Sequence, residues 1–318
     1  MCRECRPRTS RASKLVSVPG GALWGSNAVN GVNNVVTRPA GDEGALLRFS
    51  GGSSDVSGTA QYSTALGQNG AIRIYGTGNR QGHTLTSTGA SGLDSWRTYQ
   101  GGARADWALE QGALTIQGDY DDGNNKPSNV ATVDTNGGNV LGRWRQDVGD
   151  GGSLEVQAYF DHAARSIRGG IHDSVDTYDA SAQYSFGLGS VQRLVVGGGY
   201  RVSTDTLVPG PKTSYLIPGA RTLQLANAFL HDTIALSSTV KLALGLKLES
   251  NSYTGIEYMP DARLSWQMTP AAVLWTAVSR AVRTPSRFDR DLYSTGILAV
   301  GPAFQSETLI AYEAGYRA

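Results

Sequence analysis

The stretch TVKLALGLKLE, residues 239–249, places Val240, Leu242, Leu244, Leu246 and Leu248 on one side and Lys241, Lys247 and Glu249 on the other. Successive side chains of a strand point to opposite faces, so this period of two predicts a strand with one apolar and one polar face. The pattern recurs in both directions along the chain. Residues 112–120 set Leu114, Ile116 and Tyr120 against Thr115, Gln117 and Asp119, and residues 153–161 set Leu154, Val156, Ala158 and Phe160 against Glu155, Gln157 and Asp161. Residues 177–186 and 261–268 repeat it.

About fourteen such segments are predicted: 45–50, 56–66, 70–78, 97–109, 112–121, 138–147, 153–162, 176–186, 190–202, 221–235, 239–249, 261–268, 272–281 and 308–317. Many run to ten residues or more. Strands of soluble sheets average about five or six, whereas a tilted strand crossing hydrocarbon needs about 9–11. From the second strand on, short links (67–69, 110–111, 148–152, 187–189, 236–238, 269–271) alternate with long ones (79–96, 122–137, 163–175, 203–220, 250–260, 282–308). Consecutive antiparallel strands put every second link on the same side. Tight turns on one side and long loops on the other are the asymmetry of outer-membrane barrels. The expected fold class is therefore all-β, an antiparallel up-and-down transmembrane β-barrel. A soluble sandwich or propeller is the competing all-β reading.

Composition narrows the function classes. With a net charge of +1 the chain has no electrostatic case for nucleic acid. The longest apolar run, residues 271–278, is far too short for a membrane helix. Cys2 and Cys5 are the only cysteines, with no second CxxC, and no His lies at metal-motif spacing, so neither metal nor cofactor is expected. Residues 1–14 are Arg-rich without an apolar core, so no secretory signal is expected in this chain. No nucleophile elbow or Ser/His/Asp arrangement is present, and the chain is not expected to be an enzyme. His162 and His172 fall near one predicted loop. The run DYDDGNN, residues 119–125, is oxygen-rich but lacks EF-hand spacing, and a solvated loop is expected there.

Ahead of the first strand stands PGGALWGSNAVNGVNNVVTR, residues 19–38. Its glycines permit tight turns and close approach to a surrounding wall, and Asn27, Asn30 and Asn34 offer side-chain hydrogen bonds in place of ladder bonds. This stretch resembles the end of the plug domain of TonB-dependent outer-membrane receptors. The resemblance rests on Gly20-Gly21, Trp24-Gly25, Asn27, Gly31-Val32, Asn34 and the run Val35-Val36-Thr37-Arg38. Two further stretches are similar to the family's barrel: residues 262–292, and residues 304–317 with Glu307, Tyr312-Glu313 and Gly315-Tyr316.

The resemblance implies an outer-membrane importer of a scarce nutrient such as a ferric siderophore. Its partners would be outer-membrane lipid, the TonB complex for the full-length parent, and an iron-chelate or similar small ligand. The family barrel has about twenty-two strands, so the expectation is a fragment lacking most of the plug and the last strands. The expected division is residues 1–14 as an unstructured start, 15–40 as the plug end, and 41–318 as a partial barrel. Passive porin-like channel and secreted β-rich adhesin are the other readings. Arg280, Arg283, Arg287 and Arg290, at the start of the last long loop, are the candidate ligand contacts, because guanidinium groups capture carboxylate or catecholate chelates. The alternative for them is pairing with Asp289 and Asp291.

Overall fold

The computed structural model describes residues 10–16, 20–41, 43–126, 131–149, 151–210, 215–293, 301 and 303–318. Strand β1 (Ser10–Val16) pairs antiparallel with β2 (Val32–Thr37), and between them lies one helical turn, α1 (Gly21–Trp24). Residues 10–14 are thus strand, where an unstructured start is expected; residues 1–9 lie outside the described residues.

The main sheet then winds in chain order through β3 (Gly44–Gly51), β4 (Asp55–Ala65), β5 (Gly70–Gln81), β6 (Trp96–Leu109) and β7 (Gly112–Asn125). It continues through β8 (Val133–Val148), β9 (Gly152–Ile167), β10 (His172–Leu188) and β11 (Gln192–Val208). A two-residue strand, β12 (Tyr215–Leu216), interrupts the next loop. Then come β13 (Ala220–Ala235), β14 (Val240–Asn251), β15 (Gly255–Thr269) and β16 (Ala272–Arg283). The last loop holds a short turn, α2 (Arg287–Arg290), and β17 (Leu292–Tyr293), which pairs with β12, before β18 (Glu307–Arg317) ends the sheet. Fourteen strands form one up-and-down antiparallel sheet with β3 and β18 as its margins, unpaired with each other among the described residues. The sheet is open.

All fourteen predicted segments are strands of this sheet. Their lengths differ in one consistent way: β8 to β11 run to 16 or 17 residues, extended at the long-loop end. The extensions carry Asp134, Asn136, Arg165, Asp173 and Asp205. Beyond the lipid both faces meet water, so nothing enforces alternation there. The run 119–125 is for the same reason part of β7, not a loop. Residues 250–260 are also no long loop: β14 and β15 pair up to Asn251↔Gly255. There the Asn251 side chain accepts from the amides of Tyr253 and Thr254, both at 2.9 Å.

The two faces are inverted relative to a soluble core. Leu244, Leu246 and Leu248 stand outward, 42–45% exposed, while Lys247 and Glu249 between them are 8% and 3% exposed on the inner face. Outward aromatics form two belts. Tyr99 and Trp107 on β6, and Tyr258 and Trp266 on β15, are each eight positions apart, about 26 Å along a strand at ~3.3 Å per residue. Tilt shortens that toward the ~25 Å apolar band of a membrane barrel. The upper belt also obeys the tilt. From Tyr99 through Tyr120, Phe160 and Tyr178, then Tyr200, to Tyr258, it drifts steadily down the register rows of successive strands.

Candidate functional site

β15 and β16 pair only from the turn up to Asp261↔Ser279, leaving the upper part of β16 without a partner on that side. The turn around α1 occupies this seam. The Asn27 amide donates to the Val282 carbonyl at 2.7 Å, and the Asn27 side-chain oxygen accepts from the Thr284 amide at 3.1 Å. One asparagine thereby supplies the donor and acceptor that a strand would have supplied. It also takes φ +71°, a left-handed value that Asn tolerates better than most residues. Asn27→Ala is expected to cost about 1–2 kcal/mol of docking, through the orphaned Thr284 N–H and the strained φ. Faster exchange of the Thr284 amide is the measurement.

Gly21 is buried where a Cβ would lie 2.9 Å from the Arg280 carbonyl oxygen. Gly25, at φ +85°, sits over the inward pair Lys247 and Glu249, and the next amide, Ser26, donates to Glu249 at 3.3 Å. Gly20 closes the turn by donating to Ala28 at 3.0 Å. Trp24 stays 40% exposed. Gly31 leads into β2, where Asn34 lies opposite Lys14.

The far end of the same segment is tied to a different wall. Arg104 of β6 donates to the Thr37 hydroxyl at 2.7 Å, and Arg73 of β5 donates to the carbonyls of Arg38 and Pro39 at 2.9 and 3.2 Å. The Ala40 amide donates to Asp106 at 2.7 Å, and Asp106 also takes a bidentate pair from Arg104. Residues 20–40 therefore run across the concave side, from the β14–β16 wall to the β5–β6 wall.

The four candidate arginines do not converge. Arg280 fills the seam: it donates to the Tyr258 carbonyl, and its guanidinium carbon lies 4.1 Å from the Tyr258 ring centroid. Arg283 bridges Asp289 at 3.1 Å and Glu307 at 3.0 Å. Arg290 donates to the Phe304 carbonyl and stacks on Tyr253. Arg287 is 4% exposed and donates to Asp291 at 3.1 Å, to Asp205 at 2.6 Å and to the Pro218 carbonyl. Ser286 caps α2 by accepting from the Asp289 amide; the Ser286 amide and hydroxyl, with Arg283, donate to the Asp289 carboxyl and hold it below the usual carboxylate range.

Asp291, which the sequence offers only as a pairing partner for these arginines, is the hub of this region. Besides Arg287 it accepts from Arg221 at 2.7 Å and from the Tyr253 hydroxyl at 2.8 Å. The network joins the loop after β11, the turn after β14 and the loop after β16, and the β12–β17 pairing reinforces it. Burial first, then the hydrogen bond to Asp291 and its charge, push the Tyr253 phenol up to about 12. A raised phenol pKa favours the protonated folded form. This stabilisation is complete below the ordinary value of about 10 and is lost as pH rises from there through about 12. The wild-type minus Tyr253→Phe difference titration at the tyrosinate absorption band should show one phenol ionising late.

His162 pairs with Asp176 at 2.6 Å, while His172 lies opposite Ser166, so the two histidines stay apart. Among the described residues no group of three or more His, Cys, Asp or Glu side chains is placed to hold a metal ion.

The sequence pattern described as "TonB dependent receptor-like, beta-barrel" matches residues 34–318. No curated protein matches the sequence. Among solved structures, the siderophore receptor PirA from Pseudomonas aeruginosa superposes with a TM-score of 0.79 at 17% identity, over 98% of this chain and 60% of its own. The ferric enterobactin receptor PfeA of the same organism, in complex with BCV-L6, gives 0.77 at 16%, over 95% and 55%. PirA from Acinetobacter baumannii gives 0.75 at 16%, over 95% and 54%. The chain thus spans a little over half the length of the receptors it resembles.

Proposed function

Because the chain belongs to the TonB-dependent receptor-like β-barrel family, we propose that it forms much of the wall of an importer for a ferric siderophore or similar scarce chelate, with residues 15–40 as the end of its plug. The family consists of transporters rather than enzymes and sits in the Gram-negative outer membrane. The observation that carries the reading is the crossing of residues 20–40 between the β14–β16 and β5–β6 walls. A segment tied across the concave face obstructs free passage, as a gated importer requires. TonB-coupled uptake and a siderophore-like ligand are the partners this reading implies.

The test is uptake of radiolabelled ferric enterobactin by cells producing the receptor that carries this chain, with and without TonB. Uptake that stops without TonB is expected; uptake that persists would point to passive diffusion. Of the four arginines, Arg283 is the ligand contact we favour, since its side chain is 40% exposed while Arg287 is enclosed. Loss of a charge-assisted contact costs about 1.5–3 kcal/mol, so Arg283→Gln is expected to weaken ligand binding by roughly tenfold or more. Unchanged affinity would remove Arg283 from that role.

A further inference from the structure

On the outward face, Arg80 of β5 lies directly opposite Arg97 of β6. The face is established by the neighbours. Ile74 and Tyr99 of the same parity stand exposed, while Arg73, Thr98 and Arg104, of the opposite parity, point inward, Arg73 and Arg104 to the 37–40 segment. Directly opposed side chains in an antiparallel pair have Cβ atoms about 4.5–5.5 Å apart, and like charges there destabilise the pair. No carboxylate pairs with either of them directly. Among the described residues neither arginine has a carboxylate within 4.0 Å. Asp122 and Asp134, on the same face of β7 and β8, form no ion pair with them. Asn124, with its amide oxygen turned toward Arg97, accepts from Nε at 3.1 Å and Nη2 at 3.2 Å, which satisfies hydrogen bonds but not charge.

Height on the wall identifies the environment. Two register rows below the pair, in the next row on the same face, Phe49 and Tyr99 lie over glycines: a Cβ on Gly58 would meet the Phe49 ring at 3.4 Å, and one on Gly78 the Tyr99 ring at 3.1 Å. Tyr99 belongs to the upper aromatic belt, so the arginines stand just above the hydrocarbon, at headgroup level on the long-loop side. In the next row down on that face, Ala60, Gly76 and Gly101 form a shallow apolar trough between Leu47 and Tyr120.

We propose that Arg80 and Arg97 bind the phosphomonoester headgroup of an anionic outer-leaflet lipid, whose chain lies over the Phe49–Tyr99 shelf and down the Ala60–Gly76–Gly101 trough. Two guanidinium groups side by side match the oxygens of one phosphate, and the bound anion removes their mutual repulsion. The trough supplies close van der Waals contact with a chain, because it presents almost no side chains.

The test is native mass spectrometry of the full chain released from nonionic micelles containing either phosphatidic acid, a phosphomonoester lipid, or phosphatidylcholine. Wild type is expected to retain phosphatidic acid preferentially, with roughly fivefold tighter binding contributed per arginine. The preference should disappear in the R80Q/R97Q double variant and largely survive in R80K/R97K, while Arg143→Gln, on the inner face, leaves it unchanged. Equal retention of the two lipids by wild type, or a preference that survives R80Q/R97Q, overturns the proposal. Displacement of the lipid by equimolar inorganic phosphate also overturns it, assigning the pair to a soluble anion.

Discussion

Replacing Arg287 with alanine is expected to release the last long loop from the mouth of the sheet. The guanidinium is enclosed, with Asp291 on one side, Asp205 on another and the carbonyls of Pro218 and Gly219 beyond. Removing it leaves Asp291, itself 3% exposed, facing only Arg221 and Tyr253, and leaves Asp205 unpaired. Breaking a buried ion pair on one side costs about 3–5 kcal/mol, because the remaining charge has no compensation. The loss is local, since the strands below keep their ladders. Hydrogen exchange should accelerate at Leu216, Ile217 and Leu292 by two orders of magnitude or more, with little change along β7 to β10. The conservative Arg287→Lys should recover part of that protection, because it keeps a cation between Asp205 and Asp291 without the forked geometry. Equal exchange in wild type and Arg287→Ala would show that the β12–β17 pairing alone holds the loop.

The second large effect is expected at Gly21. A valine there would place Cβ 2.9 Å from the Arg280 oxygen and 3.2 Å from both the Ala281 Cα and the Met259 sulfur. Met259 can move, but the first two atoms belong to the backbone of β16. Overpacking of this kind costs typically 1–3 kcal/mol, and two backbone contacts put Gly21→Val at the upper end, about 3 kcal/mol. The turn should leave the seam, so exchange at the Asn27 and Thr284 amides should rise roughly a hundredfold, with a change in Trp24 fluorescence. Gly41→Ala serves as the control, since a Cβ there meets nothing within 4 Å. If Gly21→Val leaves both amides protected, the seam accommodates a side chain and the close-approach argument fails.

The strands were legible because lipid and lumen impose opposite demands on alternate residues. Leu244, Leu246 and Leu248 against Lys247 and Glu249 state those demands in eleven residues. Where that contrast ends, so does the signal. The upper parts of β8 to β11 and the start of β15 read as loops although they continue the ladders, because water on both faces selects no alternation. Of the plug-like segment, the role of asparagine as a substitute for ladder bonds was legible, and Asn27 performs it. Its address was not: nothing local in residues 19–38 names Val282 and Thr284.

The arginines mark the same boundary. Arg280, Arg283, Arg287 and Arg290 form one basic run in the chain, yet their guanidinium groups go to the seam, to the Asp289–Glu307 carboxylates, to a buried network and to an aromatic face. Sequence by itself determined the strand count, the antiparallel order, the membrane-facing side and the family likeness, since each is written in short-range periodicity or in an ordered local motif. Tertiary structure alone decided which wall each end of residues 20–40 is tied to, that Asp291 binds three loops together, and that Arg80 stands against Arg97. Those pairings depend on register between strands, and register is settled only when the whole sheet assembles.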